Sequence, residues 1–152
     1  MPYSYCATIG VNPIIYFYAE DQIHGAELWM YDGVNAPSMV ADINPSGYSY
    51  PTYLTVFNNE LYFRATDGTN GYELWKFDGT NAPSMVADIF PGIGSSIPSH
   101  LNVFHNELYF SAHDGGTNGK ELLRYDGNNV SMVADINPGS GGRYPSHLTV
   151  FY

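Results

Sequence analysis

Residues 60–89 read ELYFRATDGTNGYELWKFDGTNAPSMVADI, and nearly the whole chain is built from copies of this stretch. Residues 14–43 read IIYFYAEDQIHGAELWMYDGVNAPSMVADI, and residues 107–136 read ELYFSAHDGGTNGKELLRYDGNNVSMVADI. The aspartates of the shared V-A-D-I run, Asp42, Asp88 and Asp135, set a period of 46 and then 47 residues. The extra residue reads as one glycine of the Gly115-Gly116 pair. A period of about 40–50 residues that holds several strand-like runs is the signature of a propeller blade or a solenoid unit.

Within the central copy, Leu61, Phe63 and Ala65 alternate with Tyr62, Arg64 and Thr66, the period of a strand. Asp67-Gly68-Thr69-Asn70-Gly71 is hairpin chemistry, because glycine takes positive φ without cost. A second strand follows over residues 72–77, a third over 84–89 and a fourth over 101–104, separated by Asp-Gly, Pro-Gly and His-Asn turns. Turn signals recur too often for a helix of three turns to fit. The expectation is an all-β chain of four-stranded antiparallel units. Residues 1–12 match no other part of the chain and read as an N-terminal arm, and residues 13–152 hold three repeats.

After the arm, the repeats begin at the strand equivalent to LYF and run to HLTVFY, the strand that precedes LYF. Counted circularly, the chain holds three sets of four strands, and residues 148–151 are expected to pair with residues 15–19 in a blade closed from both ends. Propellers usually have about 4–8 blades, so three blades do not easily close a ring. Two copies make six, and an unpaired strand edge is a template for such pairing. The expected architecture is a β-propeller with three blades per chain, completed to six in a homodimer. A fragment of a longer propeller or a short β-solenoid are the other readings.

Fifteen acidic residues against five basic ones leave a formal charge of −10. That argues against nucleic acid, whose backbone demands clustered Lys and Arg, and against anionic membranes. No run reaches the roughly 18 apolar residues of a membrane helix, and the first ten residues, MPYSYCATIG, do not read as a signal peptide. Cys6 is the sole cysteine, so no disulfide forms within the chain. The 14 tyrosines suit half-exposed sheet surfaces and binding faces, since the ring is apolar and its hydroxyl is wet.

Gly25-Ala26-Glu27-Leu28-Trp29-Met30-Tyr31-Asp32-Gly33 and Gly71-Tyr72-Glu73-Leu74-Trp75-Lys76-Phe77-Asp78-Gly79-Thr80 resemble the ELWxxDGT repeat family of long bacterial surface or secreted proteins. The resemblance implies β-propeller folding and an extracellular setting. The third copy departs from it, with Leu123 in place of tryptophan and Asn128 in place of threonine, and the first copy has Val34 at the threonine position. The plan is also similar to that of small lectins that assemble a propeller from short repeated chains.

Trp29 and Trp75 share a strand face with Glu27, Glu73 and Glu121. An aromatic ring stacks on the C–H face of a sugar and a nearby carboxylate accepts its hydroxyls, so these residues are candidate carbohydrate contacts, together with Tyr50 and Tyr144 of the longer loops. Packing between blades is the competing reading of the same residues. Asp21, Asp67 and Asp114 open the turn before that strand and are weak Ca²⁺ candidates, since hard oxygen ligands suit that ion. They equally suit capping of turn N–H groups. No other cofactor is expected. His100 and His147 share a position with Tyr53 and form no ligand cluster in the sequence. No nucleophile elbow, phosphate loop or zinc spacing is present, and repetition suits multivalent binding better than a single active site. The function expected is a non-enzymatic, lectin-like protein whose partners are glycans and a second copy of itself. A structural or protein-interaction module is the alternative.

Overall fold

The computed structural model describes residues 13–116, 118–136, 138–139 and 144–151. These form eleven strands, all paired antiparallel, and no helix occurs among the described residues. The first sheet holds β1 (Ile15–Asp21), β2 (Gly25–Tyr31) and β3 (Ser38–Ala41), in that order. The second holds β4 (Thr52–Phe57), β5 (Glu60–Ala65), β6 (Glu73–Phe77) and β7 (Ser84–Ala87). The third holds β8 (Ser99–Phe104), β9 (Glu107–His113), β10 (Lys120–Tyr125) and β11 (Val130–Ala134).

Each sheet is a meander because its turns are short and chemically specified. β4 and β5 are joined by Asn58 and Asn59, both at positive φ (49° and 61°), and β8 and β9 by His105 and Asn106 (48° and 58°). Two such residues make the type I′ turn whose twist matches that of paired strands. Asp67 and Asp78 cap their turns: Asp67 accepts from the N–H groups of Thr69 (2.9 Å) and Asn70 (2.7 Å), and Asp78 from those of Thr80 and Asn81 (both 2.8 Å). The register slips at one equivalent place in every repeat, between Leu28 and Trp29, Leu74 and Trp75, and Leu122 and Leu123.

The longer second spacing has a different origin from the one expected. β5 and β9 already start 47 residues apart, at Glu60 and Glu107, so the additional residue lies in the segment between them. The Gly115-Gly116 pair is offset by the shorter turn before β11.

The core lies between sheets. Leu61, Phe63, Ala65, Trp75 and Phe77 of the second sheet pack on Leu28 and Ile43. From its other face, Phe57, Tyr62 and Leu74 pack on Leu108, Phe110, Ala112, Leu123 and Tyr125 of the third sheet. The middle sheet is thus apolar on both faces, as strands covered on both sides must be. The outer faces of the first and third sheets carry the equivalent residues, and among the described residues no further sheet lies over them. Leu61 is 7% exposed, and its counterpart Ile15 is 61% exposed.

Residues 148–151, expected to pair with residues 15–19, are not strand-paired in this chain. The second sheet stands between them. The Asn102 amide donates to the Leu148 carbonyl at 2.8 Å, which holds the segment beside the third sheet, on the far side of the stack from β1.

Candidate functional site

The G-x-E-L-W run builds a loop anchor. Glu27, Glu73 and Glu121 are each 0% exposed. The Glu73 carboxylate accepts from the N–H of Ile89 (3.0 Å), the N–H of Ser96 (2.9 Å) and the Ser96 hydroxyl (2.6 Å). Glu27 does the same with Ile43 (3.0 Å) and Ser49 (3.2 and 2.6 Å). Glu121 accepts from the Ile136 N–H at 3.0 Å, and the counterpart of Ser49 and Ser96, Arg143, lies outside the described residues. The sequence reading set these glutamates against a sugar. The structure sets Glu27 and Glu73 beneath the loops, where burial of an acceptor is tolerable because both carboxylate oxygens receive hydrogen bonds. The glycine ahead of Glu73 is required by the same loop: a Cβ on Gly71 would fall 1.9 Å from the Gly94 carbonyl oxygen.

Burial pushes the Glu27 and Glu73 carboxyls up, against the opposing pull of the Ser49 and Ser96 hydrogen bonds. Such groups bind protons more tightly folded than unfolded, so they destabilise the fold as pH rises through their raised values. Asp21 and Asp78 behave oppositely. The His24 side chain holds Asp21 at about 2, and the Asn81 amide holds Asp78 at about 2, so their stabilisation is lost only as pH falls below the ordinary aspartate range. Relief of the −10 charge acts in the same direction as the glutamates. The melting temperature should therefore rise as pH falls from neutrality toward the ordinary glutamate range, and drop once pH falls below the ordinary aspartate range. A melting temperature that falls steadily from neutrality would contradict this balance.

The two tryptophans differ in setting. Trp75 is 7% exposed and belongs to the packing between the first and second sheets. Trp29, at the same register opposite Phe17 as Trp75 is opposite Phe63, is half-buried on the uncovered face of the first sheet. The Ca²⁺ candidates hold turns. Asp21 accepts from the Ile23 N–H (2.9 Å) and pairs with the His24 ring (2.8 Å). Asp67 accepts from Thr69 and Asn70, and Asp114 from the Gly116 N–H (2.9 Å) and the Asn118 amide (3.0 Å). No group of three or more His, Cys, Asp or Glu placed to hold a metal occurs among the described residues.

The most exposed of these features gather on the loops that the glutamates anchor. Tyr50 stacks on Tyr48 (centroids 5.3 Å apart, planes at 25°) and on Tyr18 (6.4 Å, 14°). Beside Tyr48 opens an acidic groove of about 790 Å³ lined by Glu20, Asp21, His24 and the 45–48 loop. Tyr144 occupies the place of Tyr50 in the third repeat and is exposed. Tyr18 escaped sequence reasoning. It belongs to β1, and only the return of the loop after β3 brings it to Tyr50. The alternation that points Tyr18 away from Phe17 was its only trace.

A second row runs across β4, β8 and the unpaired segment of residues 146–151. Tyr53, His100 and His147, one from each repeat, stand 5.6 and 5.8 Å apart ring to ring, and all take positive φ (60°, 57° and 55°). The Arg64 guanidinium lies over Tyr53 at 5.1 Å and over Tyr72 at 5.5 Å, within cation–π reach of both rings.

Comparison with known protein families, with curated proteins and with solved structures finds no match for the chain.

Proposed function

We propose that the chain is a lectin-like, multivalent carbohydrate-binding protein, that its three sheets are consecutive blades of a β-propeller, and that it acts by binding rather than catalysis. The observation that carries the reading is the exposed stack of Tyr18, Tyr48 and Tyr50 beside the acidic groove. Tyrosine faces accept the apolar C–H face of a pyranose, and Glu20 and Asp21 offer acceptors for its hydroxyls. Glu27 and Glu73 serve this site as positioning residues, because the loops they hold carry Tyr48 and Tyr50 in the first repeat and Ile97 in the second. Repetition places related loops at successive blade junctions. Several weak sites on a rigid frame bind a glycan-coated surface more tightly than one site does.

A glycan array on the folded protein, run with and without Ca²⁺, tests this. Binding to a related set of sugars is expected, and a Tyr48→Ala, Tyr50→Ala double variant should lose at least tenfold in affinity, about 1.4 kcal/mol, while its melting temperature stays near that of the parent. Silence of a well-folded sample on the array would overturn the reading. A structural or protein-interaction role is the second reading, favoured by the uncovered apolar faces at the two ends of the stack.

A further inference from the structure

The two ends of the stack are complementary. Between the second and third sheets, the face that carries Phe57, Tyr62 and Leu74 meets the face that carries Leu108, Phe110, Leu123 and Tyr125. On the outer side of the third sheet, Phe104, Tyr109 and Leu122 stand at the places of Phe57, Tyr62 and Leu74. They line an apolar groove together with residues 148–151. On the outer side of the first sheet, Ile15, Phe17, Trp29 and Tyr31 stand at the places of Leu108, Phe110, Leu123 and Tyr125. One end therefore presents the same apolar set that its counterpart meets twice inside the chain.

The strands agree with the faces. Among the described residues the first sheet has three strands and lacks the one that pairs with β5 in the second sheet and with β9 in the third. That missing strand reads TYLTVF in β4 and SHLNVF in β8. Residues 146–151 read SHLTVF and are not strand-paired. They are also already in position. β4 reaches β8 through the Thr55 hydroxyl and the Leu101 carbonyl (3.5 Å), and β8 reaches residues 146–151 through Asn102 and the Leu148 carbonyl (2.8 Å), both links spanning 46 residues. The segment thus occupies the place that β4 and β8 hold in their sheets, and the other three strands of such a fourth sheet are not among the described residues.

We infer that a second copy of this chain supplies them: its β1–β3 sheet docks on the outer face of the third sheet and takes residues 146–151 as its fourth strand, and the reciprocal contact closes the pair. The register follows from Val56↔Leu61 and Val103↔Leu108. By repeat equivalence the partner's Val150 lies opposite Ile15, and the partner's Phe151 opposite Ile14. Phe151 is 97% exposed in the single chain, whereas its counterpart Phe57 is 3% exposed. Head-to-tail contacts close only when the rotation per contact completes the circle, and six blades lie within the usual range of about 4–8. This inference rests on the sheets and their packing and is independent of sugar binding.

The test is disulfide trapping in a Cys6→Ser background, which removes the only native cysteine. An Ile15→Cys, Val150→Cys variant should oxidise to a covalent dimer with two intermolecular bonds, and Ile15→Cys, Thr149→Cys, displaced by one residue, should not. Alongside it, Trp75→Phe leaves Trp29 as the sole tryptophan. Its emission should shift to shorter wavelength as concentration rises, while the mass in solution doubles. A monomer at all concentrations, a disulfide formed within one chain, or an open polymer in place of a closed pair would each overturn the inference.

Discussion

Replacing Glu73 by alanine should lower stability by about 3 kcal/mol, since removing one partner strands the buried donors it served, at about 1–3 kcal/mol for each unsatisfied group. Two donors are left, the N–H groups of Ile89 and Ser96, while the Ser96 hydroxyl keeps the Tyr72 carbonyl (3.3 Å). For a chain of this size the loss corresponds to a melting temperature lower by about 6–12 °C. Glu73→Gln keeps the shape and one acceptor oxygen but turns an amide NH₂ toward a backbone donor, so an intermediate loss is expected. Thermal melts at pH 7 read both. A Glu73→Ala variant that melts with the wild type would show that the loop of residues 90–98 holds its place without the carboxylate. Glu27→Ala should also weaken glycan binding, because the loop it anchors carries Tyr48 and Tyr50.

The second large effect separates two tryptophans that the sequence presents as equals. Trp75→Ala empties a site between two packed sheets and should cost about 3–5 kcal/mol, the range for truncating a buried aromatic. Trp29→Ala in the isolated chain removes a half-buried ring from an open face, and about 1 kcal/mol is expected, the centre of the range for ordinary substitutions. At concentrations where two copies pair, Trp29→Ala should instead weaken the pairing, because Trp29 then occupies the place that Trp75 occupies inside the chain. Denaturant titrations at two protein concentrations distinguish these outcomes. Equal costs for the two variants in a dilute sample would contradict the packing described. This comparison also bears on the sugar reading. A ligand at Trp29 and a partner on the same face compete, whereas Tyr18 points from β1 away from Phe17 and stacks with the loop residues Tyr48 and Tyr50, so that stack is compatible with a partner.

The all-β class, the strand runs and the turns were legible in the sequence, because each follows from a few neighbouring residues: alternation over six, Asp-Gly and Asn-Gly at reversals, and one pattern written three times. The capping role of Asp67 and Asp78 was legible for the same reason. The setting of the glutamates was hidden, since what buries Glu27 is Ser49, 22 residues on. Nor does the repeat itself tell Trp29 from Trp75, or Ile15 from Leu61, as equivalent residues in equivalent strands. Their difference depends on whether another sheet lies over them, and burial is a property of what covers a surface. The strand runs and their order are local and can be read from neighbouring residues. Which copies of a shared motif are core, which are loop anchors and which stay uncovered depends on what packs over each, and that is set by residues far away in the chain.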